Sequence, residues 1–195
     1  MKALLRVVDV PEGQSGDWRV ERFMVSKRDA AFTNLRASIG TSTRWIRAGT
    51  YTRLMRRGHV VMSDTPVEFR DHMEPVRVAN GRVLIAGLGL GVVLQAVLDK
   101  PEVEHVQVVE NSKEVIELVG SHYEMRYGRR VGIIEDDILT WRPTKNARYG
   151  MAWFDIWSDI CGDNATEMRK LMARFRRRCD WAGCWCYYET LRANR

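Results

Sequence analysis

A short, wholly apolar run that leads directly into a glycine-rich turn constrains the fold of this chain more than any other feature. The run is Val83–Ala86, and the turn, Gly87–Gly91, has the sequence GLGLG. A strand buried on both faces is apolar throughout, and glycines permit a tight turn and a close approach of ligand to backbone. The apolar residues Val92–Leu98 follow and predict a helix, whose free N–H groups face that turn. This segment therefore predicts the first strand, turn and helix of an α/β fold.

Strand and helix patterns alternate along the rest of the chain. A helix is predicted to begin at Ser112 and another to cover Asp163–Arg178. Further strands are predicted at Val106–Glu110, Val131–Glu135, Met151–Ile156 and Gly183–Glu189. Strands separated by helices imply a parallel, doubly wound sheet. We therefore predict that residues 80–195 form one domain of this type.

The first 79 residues have a different pattern, which predicts a small N-terminal α/β region. Thr65, followed by Pro66 and Glu68, is typical of a helix start. The predicted elements are strands at Lys2–Val10 and Trp18–Val25, a helix from Ser26 to Ile39, a hairpin of Thr50–Met55 and Val60–Ser63, and a helix from Thr65 to Val78.

The formal charge of +6 is distributed unevenly. Residues 80–160 carry 9 basic and 12 acidic side chains, whereas both flanks are basic. A hydrophobic content of 45% excludes a disordered chain. No apolar run approaches the ~20 residues of a membrane span, and the N-terminus lacks the pattern of a signal peptide. We therefore expect a cytoplasmic protein with no membrane partner.

Two clusters in the last 35 residues have ordinary structural explanations. The four cysteines have no spacing typical of a zinc site, so we predict buried, reduced thiols and no metal. The basic cluster is typical of a solvated helix end, where cations interact favourably with the helix dipole. Nucleic acid is the alternative partner, although no nucleic-acid-binding motif supports it. The residues are Cys161, Cys179, Cys184 and Cys186, and Arg174, Arg176, Arg177 and Arg178.

Features at three successive strand ends predict nucleoside binding. The first is the glycine turn. The second is Glu110, where a carboxylate can accept hydrogen bonds from both hydroxyls of a ribose. The third is the loop at Asp136–Ile138, where Asp137 can accept from an adenine amino group and Ile138 can cover the ring. The G-x-G-x-G spacing and the single βαβ half favour S-adenosylmethionine (SAM) over a dinucleotide.

Several segments within residues 50–160 follow the pattern of a known family. They are GHVVMS at 58–63, Glu68-Phe69, RVLIAGLGLG at 82–91, VVE at 108–110, and Asp155. Together they resemble the spermidine synthase-like branch of class I SAM-dependent methyltransferases. The resemblance implies a Rossmann-like sheet in which Gly87, Gly89 and Gly91 border the methionine part of the cofactor, Glu110 contacts the ribose, Asp137 and Ile138 contact the adenine, and Asp155 faces the reaction centre. We expect the neighbouring Leu88 and Asn111 to contact the cofactor as well.

The sequence departs from that family at three positions. Leu90 replaces an acidic residue that holds the amino group of the cofactor, and Asp71 replaces a tyrosine that helps to bind and deprotonate the amine. The run Asp155–Asp159 displaces the second acid of the Asp-Ser-Ser-Asp pattern by one residue. Polyamine synthesis from decarboxylated SAM is therefore the alternative rather than the first prediction.

The sequence thus predicts a SAM-dependent methyltransferase of unknown acceptor. We expect Asp155 to be the polar group at the reaction centre, with Asp159, Asp71 and His72 as further catalytic candidates. The alternatives are an aminopropyltransferase and a nucleoside-binding protein without transferase activity. Because the fifth predicted strand, Gly183–Glu189, ends six residues before the last residue, we expect no final helix or antiparallel hairpin. An open sheet edge invites pairing, so either the N-terminal region or another subunit is expected to cover it, and we predict a homo-oligomer.

Overall fold

The computed structural model of the chain describes residues 6–39 and 45–193, which form two sheets with helices around them. The first sheet is antiparallel, with the order β1-β2-β3-β4. Its strands are β1 (Gly13–Ser15), β2 (Trp18–Val25), β3 (Gly49–Arg56) and β4 (His59–Ser63), and helix α1 (Lys27–Ile39) follows β2. The predicted strand, helix and hairpin of this region are confirmed.

The chain before β1 is not a strand, so the prediction of a strand over Lys2–Val10 is wrong for residues 6–10. Residues 1–5 lie outside the described part. Val8 and Val10 are fully buried, which accounts for the apolar pattern. The backbone N–H of Val8 donates to Oδ2 of Asp64 at 2.9 Å instead of to a neighbouring strand.

The second sheet is parallel and has the order β7-β6-β5-β8-β9. Its strands are β5 (Gly81–Ala86), β6 (Val103–Glu110), β7 (Val131–Glu135), β8 (Tyr149–Phe154) and β9 (Cys179–Cys184). Counted from β5, the spatial order is 3-2-1-4-5, as in the first five strands of Rossmann folds. The α/β, Rossmann-like, doubly wound fold class with a small N-terminal region is therefore confirmed.

Two of the first three helical segments around this sheet differ from the sequence predictions. The predicted helix from Thr65 to Val78 is two helices, α2 (Pro66–Asp71) and α3 (Met73–Val78), joined at His72. Helix α4 (Val92–Leu98) agrees with the prediction. The helix predicted from Ser112 continues through α5 (Lys113–Val115), a π-helical turn (Ile116–Gly120) and α6 (Ser121–Tyr127), and a 3-10 turn (Gly128–Arg130) leads to β7.

The C-terminal predictions need the largest correction. Helix α7 (Asn164–Phe175) is shorter than predicted, and β9 begins four residues earlier than the predicted strand at Gly183–Glu189. Cys186 has φ +47°, so the strand cannot continue through it. Residues Tyr187–Ala193 form helix α8, and the expectation that no helix follows the fifth strand is wrong. Cys184 is buried as predicted, Cys179 and Cys186 are half-buried, and Cys161 is exposed.

One hydrophobic core joins the two sheets. Val20 and Leu54 of the antiparallel sheet pack in the same cluster as Val83, Ile85 and Leu90 of the parallel domain. The other face of the parallel sheet packs mainly against α7, through Met168, Leu171 and Phe175. The antiparallel sheet is therefore packed against the parallel domain through this shared core.

Within the described residues no helix is both long and apolar enough to cross a membrane.

Candidate functional site

A cavity of about 520 Å³ lies at the carboxyl ends of the parallel strands. Strand order reverses between β5 and β8, and a reversal of this kind is where open α/β sheets bind ligands. The loops after β5, β6, β7 and β8 supply most of the wall, and the antiparallel sheet covers it with Trp18, Leu54, Arg56 and Met62. Trp18 and Arg56 are paired residues of β2 and β3, with the guanidinium 5.1 Å from the centre of the indole.

The three glycines of the turn have positive φ angles, but different neighbours explain each of them. At Gly87 (φ +89°) a Cβ would lie 2.0 Å from the carbonyl oxygen of Asp155, because the turn crosses the end of β8. At Gly91 (φ +73°) it would meet the ring of Tyr123 at 2.2 Å. At Gly89 (φ +51°) it would meet the sulfur of Met62. Gly87 and Gly89 line the cavity together with Leu88, whereas Gly91 begins α4 and packs on Tyr123.

Leu90 offers no charge to the cavity. Its side chain is completely buried in the core, and its backbone N–H donates to the sulfur of Met62 at 3.1 Å. The carbonyl oxygen of Leu90 accepts a hydrogen bond from the hydroxyl of Tyr123. The hydrophobic residue at this position is therefore part of the packing between the turn and its neighbours.

Glu110 lies at the end of β6 and bridges two loops. Its Oε2 accepts from the N–H of Leu88 in the glycine turn, and its Oε1 accepts from the N–H of Ser112, both at 2.8 Å. Only 8% of the residue is exposed, and the exposed part lines the cavity. A carboxylate oxygen has two lone-pair sites, so each oxygen keeps one for a ligand. The neighbouring Asn111 is exposed and also lines the cavity.

The loop after β7 forms the wall on the side of Asp137 and Ile138. Ile138 is buried, whereas Asp136 and Asp137 are exposed, and all three line the cavity together with Leu139. Oδ1 of Asp137 accepts from the N–H of Leu139 at 2.9 Å, and the carbonyl oxygen of Asp137 accepts from the N–H groups of Thr140 and Trp141. The loop therefore presents the apolar side chain of Ile138 and the carboxylate of Asp137, whose Oδ2 takes no part in these hydrogen bonds.

Asp155 follows β8 and lies next to His72, which is the residue between α2 and α3. Nε2 of His72 is 3.8 Å from Oδ2 of Asp155. Burial, assisted by the negative charges of Glu68 and Asp71, raises the pKa of Asp155 to about 7. Burial lowers the pKa of His72 to about 4. A quarter of the Asp155 side chain is exposed, and both residues line the cavity.

The two remaining catalytic candidates are placed outside this cavity wall. Asp71 is half-buried, is not among the lining residues, and acts on Asp155 through its charge. Asp159 is exposed, accepts a hydrogen bond from its neighbour Ser158 at 3.0 Å, and lines a smaller adjoining cavity with Arg57 and His59. The structure thus brings together Asp155 and His72, but not Asp159.

The cavity wall around Asp155 is rich in indole rings and carboxylates. In the sequence Trp153 and Trp157 lie on either side of Asp155. Trp185 directly follows β9 and Glu167 belongs to α7, and nothing in the sequence indicates that these two residues share a site with Asp155. The indole N–H of Trp157 donates to Glu167 at 2.9 Å. The indole nitrogen of Trp153 is buried, and no described residue accepts from it. Lining this side are Glu68, His72, Trp153, Asp155, Trp157, Glu167 and Trp185.

Two arginines of the basic cluster at the C-terminal end of α7 donate to backbone carbonyl groups. Arg174 donates to the carbonyl oxygens of Ile138 and Leu139, and Arg178 donates to those of Thr144 and Lys145. Burial and the neighbouring Arg142 lower the pKa of Arg174. Arg176 and Arg177 are exposed. Two of the four arginines therefore hold the segment between β7 and β8.

Comparisons with known proteins give matches only among solved structures. No family model matches the chain, and no curated protein does. The methyltransferase CcbJ from Streptomyces caelestis is 18% identical with a TM-score of 0.46, and the match covers 58% of this chain and 46% of that one. The 23S rRNA methyltransferase ErmE is 20% identical with a TM-score of 0.35, covering 45% and 37%. Coclaurine N-methyltransferase, bound to N-methylheliamine and SAH, is 24% identical with a TM-score of 0.36, covering 43% and 24%.

These matches span less than half the length of each of the three solved structures. The class of the protein is therefore assigned on its own strand order and cavity: it is a Rossmann-like α/β protein with a ligand cavity at the switch point of its parallel sheet.

Proposed function

We propose that this chain is a SAM-dependent methyltransferase whose cofactor binds in the cavity at the switch point. One observation carries the proposal: Glu110, at the end of β6, and Asp137 and Asp155, after β7 and β8, line the same cavity as the glycine turn. That is the arrangement in which a ribose, an adenine and a reacting group are held side by side. The G-x-G-x-G spacing and the single βαβ half support SAM over a dinucleotide.

The residues present fit such a cofactor. A volume of about 520 Å³ lies within the range of roughly 300–1,000 Å³ typical of small-molecule sites. Glu110 is held rigidly by two backbone N–H groups and keeps acceptor capacity for the ribose hydroxyls. Asp137 and Ile138 provide an acceptor and an apolar cover for the adenine. Gly87 and Gly89 line the cavity, so the backbone of the turn is available to the methionine part.

Methyl transfer requires the protein to position the reactants and to provide one group that accepts a proton. When bound, SAM supplies an electrophilic methyl group on its sulfonium. Asp155 would accept the proton of the nucleophile, because its raised pKa of about 7 makes it a far stronger base than an exposed carboxylate. His72, with a pKa of about 4, is uncharged at neutral pH and therefore adds no positive charge beside Asp155. The indole rings around Asp155 exclude water and position the acceptor.

Transfer of an aminopropyl group to an amine is the second candidate, and the acceptor side of the cavity favours it. Glu68, Asp155 and Glu167 line this side together with three tryptophans. Carboxylates and indole faces are both good partners for an ammonium group. An amine acceptor suits methyl transfer equally well, so the two candidates differ in the cofactor. The uncharged Leu90 leaves the aminopropyltransferase pattern incomplete at the glycine turn.

Isothermal titration with SAM, S-adenosylhomocysteine and decarboxylated SAM tests the proposal and separates the candidates. We expect the first two to bind at micromolar concentrations and the decarboxylated form to bind more weakly. Tighter binding of the decarboxylated form would overturn methyl transfer in favour of aminopropyl transfer. Binding of SAM without methyl transfer to any amine in a panel of mono- and diamines would favour a nucleoside-binding protein. An Asp136→Asn variant, altered at an exposed carboxylate of the same wall, is the control for charge.

A further inference from the structure

The guanidinium of Arg174 connects helix α7 to the wall of the cavity. Its Nη1 donates to the carbonyl oxygen of Leu139 at 2.5 Å, and its Nη2 donates to the carbonyl oxygen of Ile138. The same guanidinium lies 4.9 Å from the ring centre of Phe175. Arg174 is half-buried although it belongs to a cluster of arginines that the sequence assigns to a solvated helix end.

These two carbonyl groups belong to consecutive residues of the cavity wall. A planar guanidinium that bridges them holds the peptide group between Ile138 and Leu139 in one orientation. That peptide sets where the side chain of Ile138 points, and its N–H is the group that donates to Oδ1 of Asp137. Hydrogen bonds from a charged donor are roughly twice as strong as neutral ones. Arg174 therefore acts on the placement of Asp137 and Ile138, the two side chains that the proposed function assigns to the adenine.

The other hydrogen bonds of this loop are mostly internal. Asp137 accepts from Leu139, Thr140 and Trp141, and Arg142 donates to the carbonyl oxygens of residues 139–141. Bonds of this kind shape the loop, and one backbone bond, from the N–H of Asp136 to the carbonyl oxygen of Glu110, connects its first residue to the sheet. Beyond Asp136 the loop is held by α7, where Arg174 donates to two of its carbonyl groups and Phe175 stacks on Trp141 with centroids 6.5 Å apart.

We propose that Arg174 is a positioning residue for cofactor binding, which fixes the loop of Asp137 and Ile138 at the adenine side of the cavity by bridging two consecutive carbonyl groups. This inference rests on the proposed function, since it takes the loop to be the adenine site. Arg174 does not line the cavity, so it would touch neither a cofactor nor an acceptor bound there. Its loss should therefore weaken cofactor binding and leave the chemical step unchanged.

Arg178, four residues after Arg174 and beyond the end of α7, offers a matched control. Its Nη1 donates to the carbonyl oxygens of Thr144 at 3.2 Å and Lys145 at 2.9 Å. The contact is of the same kind, on the same connection between β7 and β8, but neither carbonyl group belongs to a residue that lines the cavity. A general loss of stability would appear in variants of both arginines, whereas an effect on the adenine side would appear only at Arg174.

The test compares Arg174→Lys and Arg174→Gln with Arg178→Lys. Lysine keeps the charge but cannot bridge two carbonyl groups as a planar fork does, and glutamine keeps one donor group without charge. Amide hydrogen exchange on the ligand-free chain is expected to be faster at Leu139–Trp141 in both Arg174 variants. Because the loop loses a charged, bridging contact, the Kd for S-adenosylhomocysteine is expected to rise about tenfold or more, with kcat within about twofold of wild type. Arg178→Lys should change neither quantity.

Four results would overturn the inference. If the wild-type chain binds S-adenosylhomocysteine and Arg174→Lys binds it equally well, or if Arg178→Lys is weakened to the same degree, Arg174 has no special part in cofactor binding. A fall in kcat at unchanged Kd would place the effect in the chemical step and contradict a positioning role. If the wild type binds no adenosyl compound, the proposed function fails first and the role of Arg174 fails with it.

Discussion

Oδ2 of Asp155 faces Nε2 of His72 across 3.8 Å, and burial changes the pKa of each in the direction that removes its charge. The pKa of Asp155 rises to about 7, with Glu68 and Asp71 adding to the effect of burial, and that of His72 falls to about 4. Both groups are therefore uncharged between about pH 4 and pH 7. The ionised form of Asp155 becomes available only as the pH approaches neutrality.

The first prediction concerns the pH dependence of transfer. Because only the ionised carboxylate accepts a proton, kcat should fall as the pH is lowered through about 7, with the slope of a single ionisation. Asp155→Asn should lose this dependence and lower kcat by about 10²–10⁴-fold, the usual contribution of a general base. Initial rates between pH 5.5 and 9 give the measurement.

His72→Phe is the control for this assignment. Phenylalanine keeps the edge contact with Trp153, whose ring centre lies 6.0 Å away, and removes the titrating group. We expect the fall in rate near pH 7 to remain in this variant. Its disappearance would transfer the role of base from Asp155 to His72.

The second prediction concerns stability at the same position. The folded pKa of Asp155 lies above its ordinary value of 3.8, so the folded state binds an extra proton between about pH 4 and pH 7. Its contribution to stability is fully present below about pH 4 and is lost as the pH rises to 7. At pH 8 Asp155→Asn should therefore be more stable than wild type, by about 2–4 kcal/mol. Thermal melts at pH 4 and pH 8 measure this, and equal gains at both would contradict it.

The sequence was informative wherever local pattern decides local structure. The apolar run Val83–Ala86, its glycine turn and the alternation after residue 80 were sufficient to predict a parallel sheet with Glu110, Asp137 and Asp155 at strand ends. Parallel strands end at one edge, so these carboxylates meet at one cavity. The prediction was wrong at Gly183–Glu189, where the positive φ of Cys186 ends an apolar run that reads as a strand.

Contacts between distant segments could not be predicted from the pattern. Glu167 and Trp157 are joined by a hydrogen bond between α7 and the loop after β8, and neither position signals the other. The sequence predicts a solvated helix end for the basic cluster, because the local pattern does not indicate that Arg174 donates to carbonyl groups 35 and 36 residues away. Asp159 lines the smaller cavity instead of the main one because of the path of the irregular loop after β8, which the sequence pattern does not predict.

The third prediction separates packing from ligand binding at the glycine turn. A methyl group at Gly91 would press on the buried ring of Tyr123, so Gly91→Ala should lower stability by about 3 kcal/mol through overpacking and backbone strain. At Gly89 it would meet only the flexible thioether of Met62, so Gly89→Ala should cost about 1 kcal/mol. Gly58→Ala, with φ +81° and open space, measures the backbone cost alone. Chemical denaturation distinguishes the three, and equal losses would contradict the role of Tyr123.

The fourth prediction concerns a buried cation far from the cavity. Nζ of Lys100 donates to the carbonyl oxygens of Val76, Arg77 and Ala79 at the end of α3. Lys100→Met would leave these groups without their donor and lower stability by about 3 kcal/mol. Lys113→Met, which removes only a long surface ion pair with Glu117, should cost under 1 kcal/mol. Urea denaturation at pH 7 gives both values, and a similar effect of the two substitutions would refute the capping role.

The fifth prediction concerns Glu110, which serves the fold and the cofactor with the same two oxygens. Glu110→Gln keeps the shape of the side chain but turns one acceptor into an NH₂ group that faces the N–H of Leu88 or Ser112. Leaving one buried N–H unpaired costs about 1–3 kcal/mol, so thermal stability should fall moderately. Affinity for S-adenosylhomocysteine should fall about tenfold or more, because the ribose hydroxyls lose a charged acceptor as well. Calorimetry and thermal melts on one preparation measure both quantities.

Ser112→Ala is the control for this prediction. It removes the hydroxyl group of Ser112 but keeps both backbone N–H groups that donate to Glu110. A loss of stability without any loss of affinity would show that Glu110 only braces the turn.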